Sequence, residues 1–166
     1  RLNQLMTYDP ARLFCSLYEP DHRVRNLIHL GNKGFNLVEL EEKGLQVPAG
    51  VVLTTEFFRC RPVIREYPPA SRDFMARLRK QVTKIEEQTG LIFGAEDNPL
   101  LLSVRSGALI SMPGMMQTIH NVGLNEKIVE GLVRVSGNGF FAWDNYRRFI
   151  QSWCMTFEID RGIFTD

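Results

Sequence analysis

Residues 99–125 read PLLLSVRSGALISMPGMMQTIHNVGLN, and the change of character inside that stretch decides how the chain folds. Leu100 to Val104 is a short apolar run, which reads as a buried strand, and it ends on Arg105. The residues after it turn from polar to glycine to apolar with neither a strand nor a helix period, so they read as a functional loop with short extended flanks. A guanidinium at the mouth of a strand offers a planar fork of donors suited to phosphate oxygens. A structural salt bridge is the competing reading of that arginine. Ser111, the backbone around Gly114, and Thr118 would add neutral donors. Met112, Met115 and Met116 serve either as adaptable cover for a mobile flap or as plain core.

Upstream, Gly31-Asn32-Lys33-Gly34 stands directly before an expected helix over about 34–43, with Gly44 placed to end it. Glycines let backbone approach a ligand, a helix N-terminus favours an anion, and Lys33 would meet a phosphate as a point charge. A solvated turn explains the same four residues, and the spacing is not that of a Walker A loop. Pro48 to Gly50 turns the chain into a β-branched run, Val51 to Thr55, read as a second buried strand. The lead-in to about Asp21 has no clear period and reads as irregular. Pro62, Pro68 and Pro69 mark a loop or insertion around 61–70. Phe74, Leu78, Val82 and Ile85 then give an amphipathic helix over 73–88, with Ser71 or Asp73 as its cap, and 90–99 is a turn-rich connector.

Downstream, Asn125 caps a helix carrying Ile128, Val129, Leu132 and Val135, which stops at Gly137. Trp143, Tyr146, Ile150, Trp153 and Phe157 recur three or four apart, so the last helix is long and buried along one stripe. Arg147 and Arg148 on that helix read as a solvated pair, one of which can reach an anion. His22, His29 and His120 are scattered, with no nucleophile at a readable spacing, and read as core or surface.

Twenty basic against nineteen acidic side chains leave a net charge of +1, so no global field selects nucleic acid, and any anion site is local. With 44% hydrophobic and 23% charged residues the composition is globular, and 166 residues suit one domain or one large lobe. Cys15, Cys60 and Cys154 form neither a disulfide framework nor a zinc motif, which points to a reduced, cytoplasmic setting. No stretch approaches the roughly 18 apolar residues that span a bilayer. The acidic residues Glu39, Glu41 and Glu42 look like an exposed helix face, and Asp144 and Glu158 lack a metal-site context, so no metal ligand is assigned.

Two stretches, GNKGFNLVELEEKGLQVPAGVVLTT at 31–55 and PLLLSVRSGALISMPGMMQTIHNVGLN at 99–125, resemble the N-terminal nucleotide-binding domain of the pyruvate phosphate dikinase and phosphoenolpyruvate synthase family. FAWDNYRRFIQSW at 141–153 is similar to the family's following helix, as are KIVEGL and SGN between, and the likeness runs from about 26 to 157. The SMPGMM loop favours the phosphate-dependent branch over the water dikinases. The resemblance implies an α/β (α+β) fold of short strands and several packed helices, with residues 1–166 forming one lobe of an ATP-grasp-like domain in a longer protein. It implies a reaction in which ATP, phosphate and pyruvate give AMP, pyrophosphate and phosphoenolpyruvate through a phosphohistidine on a separate domain. The implied partners are ATP with Mg²⁺ whose ligands lie outside this chain, the second lobe, the phosphohistidine domain, and a second copy of the full-length enzyme.

Residue by residue, Lys33 and Arg105 match phosphate-binding positions, Gly114 lies in the family's glycine-containing loop with Ser111 and Thr118 near it, and Arg148 matches an arginine near the phosphate end. No catalytic residue is carried over. Asn32 stands where the family has glycine, and Gln117 where it has aspartate, which removes a carboxylate from the loop. The alternative functions are a nucleotide-binding or regulatory module without catalysis, for which those two departures are the evidence, and a phosphoenolpyruvate synthase-type water dikinase.

Overall fold

A glycine sets the shape of the first helix in the computed structural model, which describes residues 8–107 and 118–159. Helix α1, Leu27–Glu42, is two helical pieces that meet at a kink: the first is capped by Asn26, its side chain accepting from the His29 amide at 3.0 Å, and the second follows Gly31, close to the expected start. Gly31 then breaks the helical path at φ 65°, ψ 171°, a backbone region essentially reserved for glycine. The break frees carbonyls, and one threonine takes two of them: the Thr55 amide bonds to His29 O and its hydroxyl to Ile28 O, each at 2.9 Å. At the other end Gly44, at φ 75°, closes the helix as expected. Its amide bonds to Glu41 O and that of Leu45 to Leu40 O, the paired bonds of a Schellman terminus.

The described residues fall into two compact units, 8–89 with 107, and 90–106 with 118–159. In the first, strand β1, Phe14–Ser16, pairs antiparallel with β2, Val51–Leu53. The lead-in is therefore not wholly irregular: three residues are too few to display a period, and only a distant partner makes them a strand. Strand β2 is shorter than expected and half-open, with the burial falling on Thr54 instead. A Cβ on Gly34 would lie 3.1 Å from Val52 Cγ2, so α1 seats its backbone directly on β2. Leu17, Val24, Leu30 and Val38 fill the core beneath.

The proline-rich segment is a correction to the sequence reading. It is not a loop but the junction of two helices, α2, Glu56–Glu66, and α3, Pro68–Thr89. Pro62 inside α2 removes one donor, a loss of about 3 kcal/mol in a helix interior. Cys60 and Ile64, one turn apart, are both buried with Leu13, at about 1.5–3 kcal/mol for a fully buried aliphatic side chain, which offsets it. Tyr67 is extended, as a residue before proline prefers, and Pro68 and Pro69 sit in the first turn of α3, where a missing amide costs nothing. Because α3 starts there, Ser71 and Asp73 are interior residues and not caps. Asp73 instead accepts from Tyr8 Oη at 3.0 Å and Arg77 Nε at 2.9 Å. The Arg77 bond foremost holds its carboxyl below the ordinary range, and burial, then Asp73, pushes the Tyr8 phenol up to about 12.

In the second unit β3, Leu102–Arg105, pairs antiparallel with β4, Thr118–Val122, across a register shift between Leu102 and Val104. The expected buried strand at 100–104 is corrected: Leu100 is buried, whereas Ser103, Val104 and Arg105 are exposed, since a two-stranded ribbon leaves much of its surface open. Helix α4, Glu126–Ser136, is capped by Asn125 and ends on Gly137 at φ 66°, as the sequence indicated. Helix α5, Gly139–Thr156, is capped by Asn138. Leu124, Ile128, Val129 and Ala142 form the core between them. The aromatic stripe of α5 is less buried than expected, with Trp143 47% and Trp153 40% exposed, because Ala142 and Cys154 occupy its innermost positions. The architecture is α+β, as expected, with short strands and packed helices. Among the described residues no helix is long and apolar enough to cross a membrane.

Candidate functional site

The helix expected after the glycine-lysine stretch is present, but it begins directly after Gly31, so Asn32, Lys33 and Gly34 form its first turn. Helical geometry resumes immediately after Gly31, leaving Asn32 and Lys33 exposed and Gly34 buried. The positive φ falls on Gly31, so Asn32 is not asked to adopt it, and the departure from glycine at 32 leaves the turn without strain. Among the described residues Lys33 enters no ion pair.

In the second unit the strand register collects side chains that the sequence could only suspect. Arg105 faces Thr118 directly across the ribbon, and two residues along the same face Ser103 Oγ meets His120 Nδ1 at 3.1 Å. Residues two apart on a strand share a face, so Ser103, Arg105, Thr118 and His120 form one polar surface. Val104 and Ile119 alternate to the other side. Among the described residues the Arg105 guanidinium has no carboxylate partner, which leaves its fork of donors available.

His120 also lines a cleft of about 530 Å³ between β4 and α5, with Asn121, Asn145, Arg148, Gln151 and Ser152 as polar lining and Phe149 and Met155 as apolar walls. Asn121 takes φ 59°, a conformation asparagine tolerates, and its amide donates to Asn145 Oδ1 at 3.3 Å. Arg148 donates through Nε to Asp144 Oδ2 at 2.6 Å, and Arg147 donates through Nη2 to Asp144 Oδ1 at 2.6 Å. The hydrogen bonds from Arg147, then Arg148, hold the Asp144 carboxyl below its ordinary range. One carboxylate thus answers two guanidinium groups, and the cleft rim keeps a surplus positive charge.

The structure therefore joins Arg105 to Thr118 and Arg148 to His120 within one unit, and Lys33 belongs to the other. Ser111 and Gly114, with the neighbouring methionines and Gln117, lie outside the described residues. Sequence reasoning did not single out Ser103 and read His120 as a core or surface histidine, which its exposure bears out; the two-residue alternation in Ser-Val-Arg and Thr-Ile-His was the signal that could have grouped them with Arg105 and Thr118. Among the described residues no three His, Cys, Asp or Glu side chains converge as a metal site.

No family model matches the chain. Individual proteins do. It is 46% identical over 121 residues to the pyruvate, phosphate dikinase of Entamoeba histolytica, covering 73% of this chain and 13% of that protein. The enzyme of Rhizobium meliloti is 41% identical over 138 residues, 82% of this chain and 15% of the relative, and that of Clostridium symbiosum 44% over 133 residues, 80% and 15%. The chain spans only that small share of the relatives' length, yet most of its own length is matched to each. Taken with the two glycine- and arginine-bearing stretches, this similarity makes the chain a member of the pyruvate, phosphate dikinase family.

Proposed function

We propose that this chain is a phosphate-gripping lobe of an ATP-dependent dikinase, in which residues 1–166 bind ATP while catalysis is completed by parts of a longer polypeptide. The observation that supports the reading is the exposed Arg105 paired with half-buried Thr118, the two residues that flank the segment bearing the glycine-containing motif, with an available guanidinium on a polar strand face. In the reaction expected of the whole protein, ATP, phosphate and pyruvate become AMP, pyrophosphate and phosphoenolpyruvate through a phosphohistidine carried elsewhere. Little covalent work then falls to this lobe. Its task is to position the phosphates and neutralise charge as the phosphoryl group moves.

The groups proposed for that task are Lys33, Arg105, Ser111, Gly114, Thr118 and Arg148. Mg²⁺ would accompany the nucleotide, held by ligands outside this chain. Isothermal titration of ATP with Mg²⁺ into this chain, and into one extended past Asp166, tests the reading. Binding in both, with phosphohistidine formed in the longer chain, is the expected result. A longer chain that neither binds ATP nor becomes phosphorylated removes the enzyme reading.

A further inference from the structure

Helices α2 and α3 carry a charge pattern that phosphate binding does not call on. Residues 59–84 hold eight of the chain's twenty basic side chains and only two acids, Glu66 and Asp73, although the whole chain has a net charge of +1. Elsewhere in this unit guanidinium groups find carboxylates: Arg12 meets Asp9, Arg23 meets Asp21, and Arg25 meets Glu39 and Glu42. On α3 itself Arg77 is tied to Asp73, and Lys84 to Glu19. Arg72, Arg79 and Lys80 differ: they are exposed and enter no ion pair or side-chain hydrogen bond among the described residues. The same holds for Arg61 and Arg65 on α2, which add to the local positive potential.

The free cations of α3 stand in order. Ala70 and Ile85 are buried on its inner face, and the opposite face is a stripe of exposed residues, Arg72, Ala76, Arg79 and Thr83, at helical spacing. Met75, 44% exposed, and Lys80 flank it, and Glu87 ends it. Seven residues make two turns, so Arg72 and Arg79 are about 10 Å apart along the axis. The small side chains of Ala76 and Thr83 leave a gap after each arginine, the relief into which the ridges of a second helix fit. We propose that this stripe docks an amphipathic helix of a separate partner protein, one with two acidic residues seven apart and an apolar residue beside them. The acids would take charge-assisted bonds from Arg72 and Arg79, and the apolar residue would cover Met75. A second copy of this chain does not supply that helix: no helix among the described residues carries two acids at that spacing. A lipid surface fits less well, since insertion needs a broad apolar face and α3 turns its own inward. The stretches that carry the family likeness, 31–55, 99–125 and 141–153, all lie outside this hairpin, and so does every candidate phosphate-binding residue.

The probe is a synthetic alanine-based helix of about three heptads, with glutamate at every seventh position and leucine beside it. Its binding to the 166-residue chain is followed by fluorescence anisotropy, against a scrambled peptide of the same composition. The patterned peptide should bind at least about fivefold tighter than the scrambled one, and the preference should shrink as salt rises. Arg72→Glu combined with Arg79→Glu should abolish the preference, and lysine in place of the peptide's glutamates should restore it on that variant. Restored binding also shows that the variant is folded. Lys43→Gln, which removes an exposed cation of the same unit outside the stripe, should leave the affinity within roughly twofold. Equal binding of the patterned and scrambled peptides overturns the proposal, and so does a preference that survives the double reversal. Vesicles of phosphatidylserine and phosphatidylcholine that bind the chain through Arg72 and Arg79, with no preference between the peptides, overturn it in favour of a lipid surface. Self-association of the chain that the double reversal abolishes, seen by sedimentation, overturns it in favour of a second copy.

Discussion

The turn at Gly31 to Gly34 in one unit and the β3–β4 ribbon in the other each present an exposed cation, and they are built in opposite ways. The turn is made of backbone: Gly31 holds a conformation other residues resist, and a Cβ on Gly34 would meet the Val52 side chain at 3.1 Å. The ribbon is made of side chains, Ser103, Arg105, Thr118 and His120, standing on two paired strands with an irregularity of register beside Ser103. Substitutions should therefore separate cleanly. In the turn they cost stability first, and on the ribbon they cost binding first.

The largest effect should come from Gly31→Ala, which forces a Cβ into a region worth about 2–3 kcal/mol of strain. Urea denaturation should show that loss, with hydrogen exchange accelerating along α1. Gly34→Ala follows at about 1–2 kcal/mol, because the new methyl must displace the Val52 side chain. Adding Val52→Ala should recover part of that loss, and a cycle with no coupling would show that the two do not touch. Thr55→Val removes the hydroxyl bond to Ile28 O but keeps the amide bond to His29 O, for about 1 kcal/mol. Arg105→Gln should change stability by less than about 0.5 kcal/mol, as expected for an exposed residue without a partner.

Acid supplies the smallest effect and one the two units share. The Asp21 carboxyl is held at about 2, against an ordinary 3.8, mainly by the Arg23 side chain and then by the Arg23 amide. A depressed carboxyl stabilises the fold fully above its unfolded value and loses that contribution as pH falls through its folded one. The urea midpoint should accordingly drop between about pH 4.5 and pH 2, and Asp21→Asn should flatten the slope. Asp144 is shifted in the same direction, so Asp144→Asn should flatten it in the second unit as well.

What the sequence disclosed, and what it hid, follows from the range of the forces involved. Asn125, Gly137 and Gly44 were legible because a cap is a bond between neighbours, and residue type alone announces it. The helix through Pro62 was not, since its continuity depends on Cys60 and Ile64 finding Leu13, nearly fifty residues earlier. Strand β1 exists only through β2, some thirty-five residues away. At the candidate site, Arg105 was singled out by residue type and family likeness and Thr118 as a neutral donor, whereas the contact of Ser103 with His120 became visible only in the paired strands. Arg148 was legible as a cation, but its tie to Asp144 and its place in a cleft were not.

The most direct test is the ATP affinity of Arg105→Gln measured beside its folding stability, with Lys33→Gln run separately as the counterpart in the other unit. Loss of a charge-assisted phosphate contact should weaken ATP at least tenfold, on the order of 1.5–3 kcal/mol, while the thermal midpoint stays within a degree or two of the parent. Unchanged affinity in Arg105→Gln, with the protein folded, would contradict the assignment of that ribbon face to ATP phosphates.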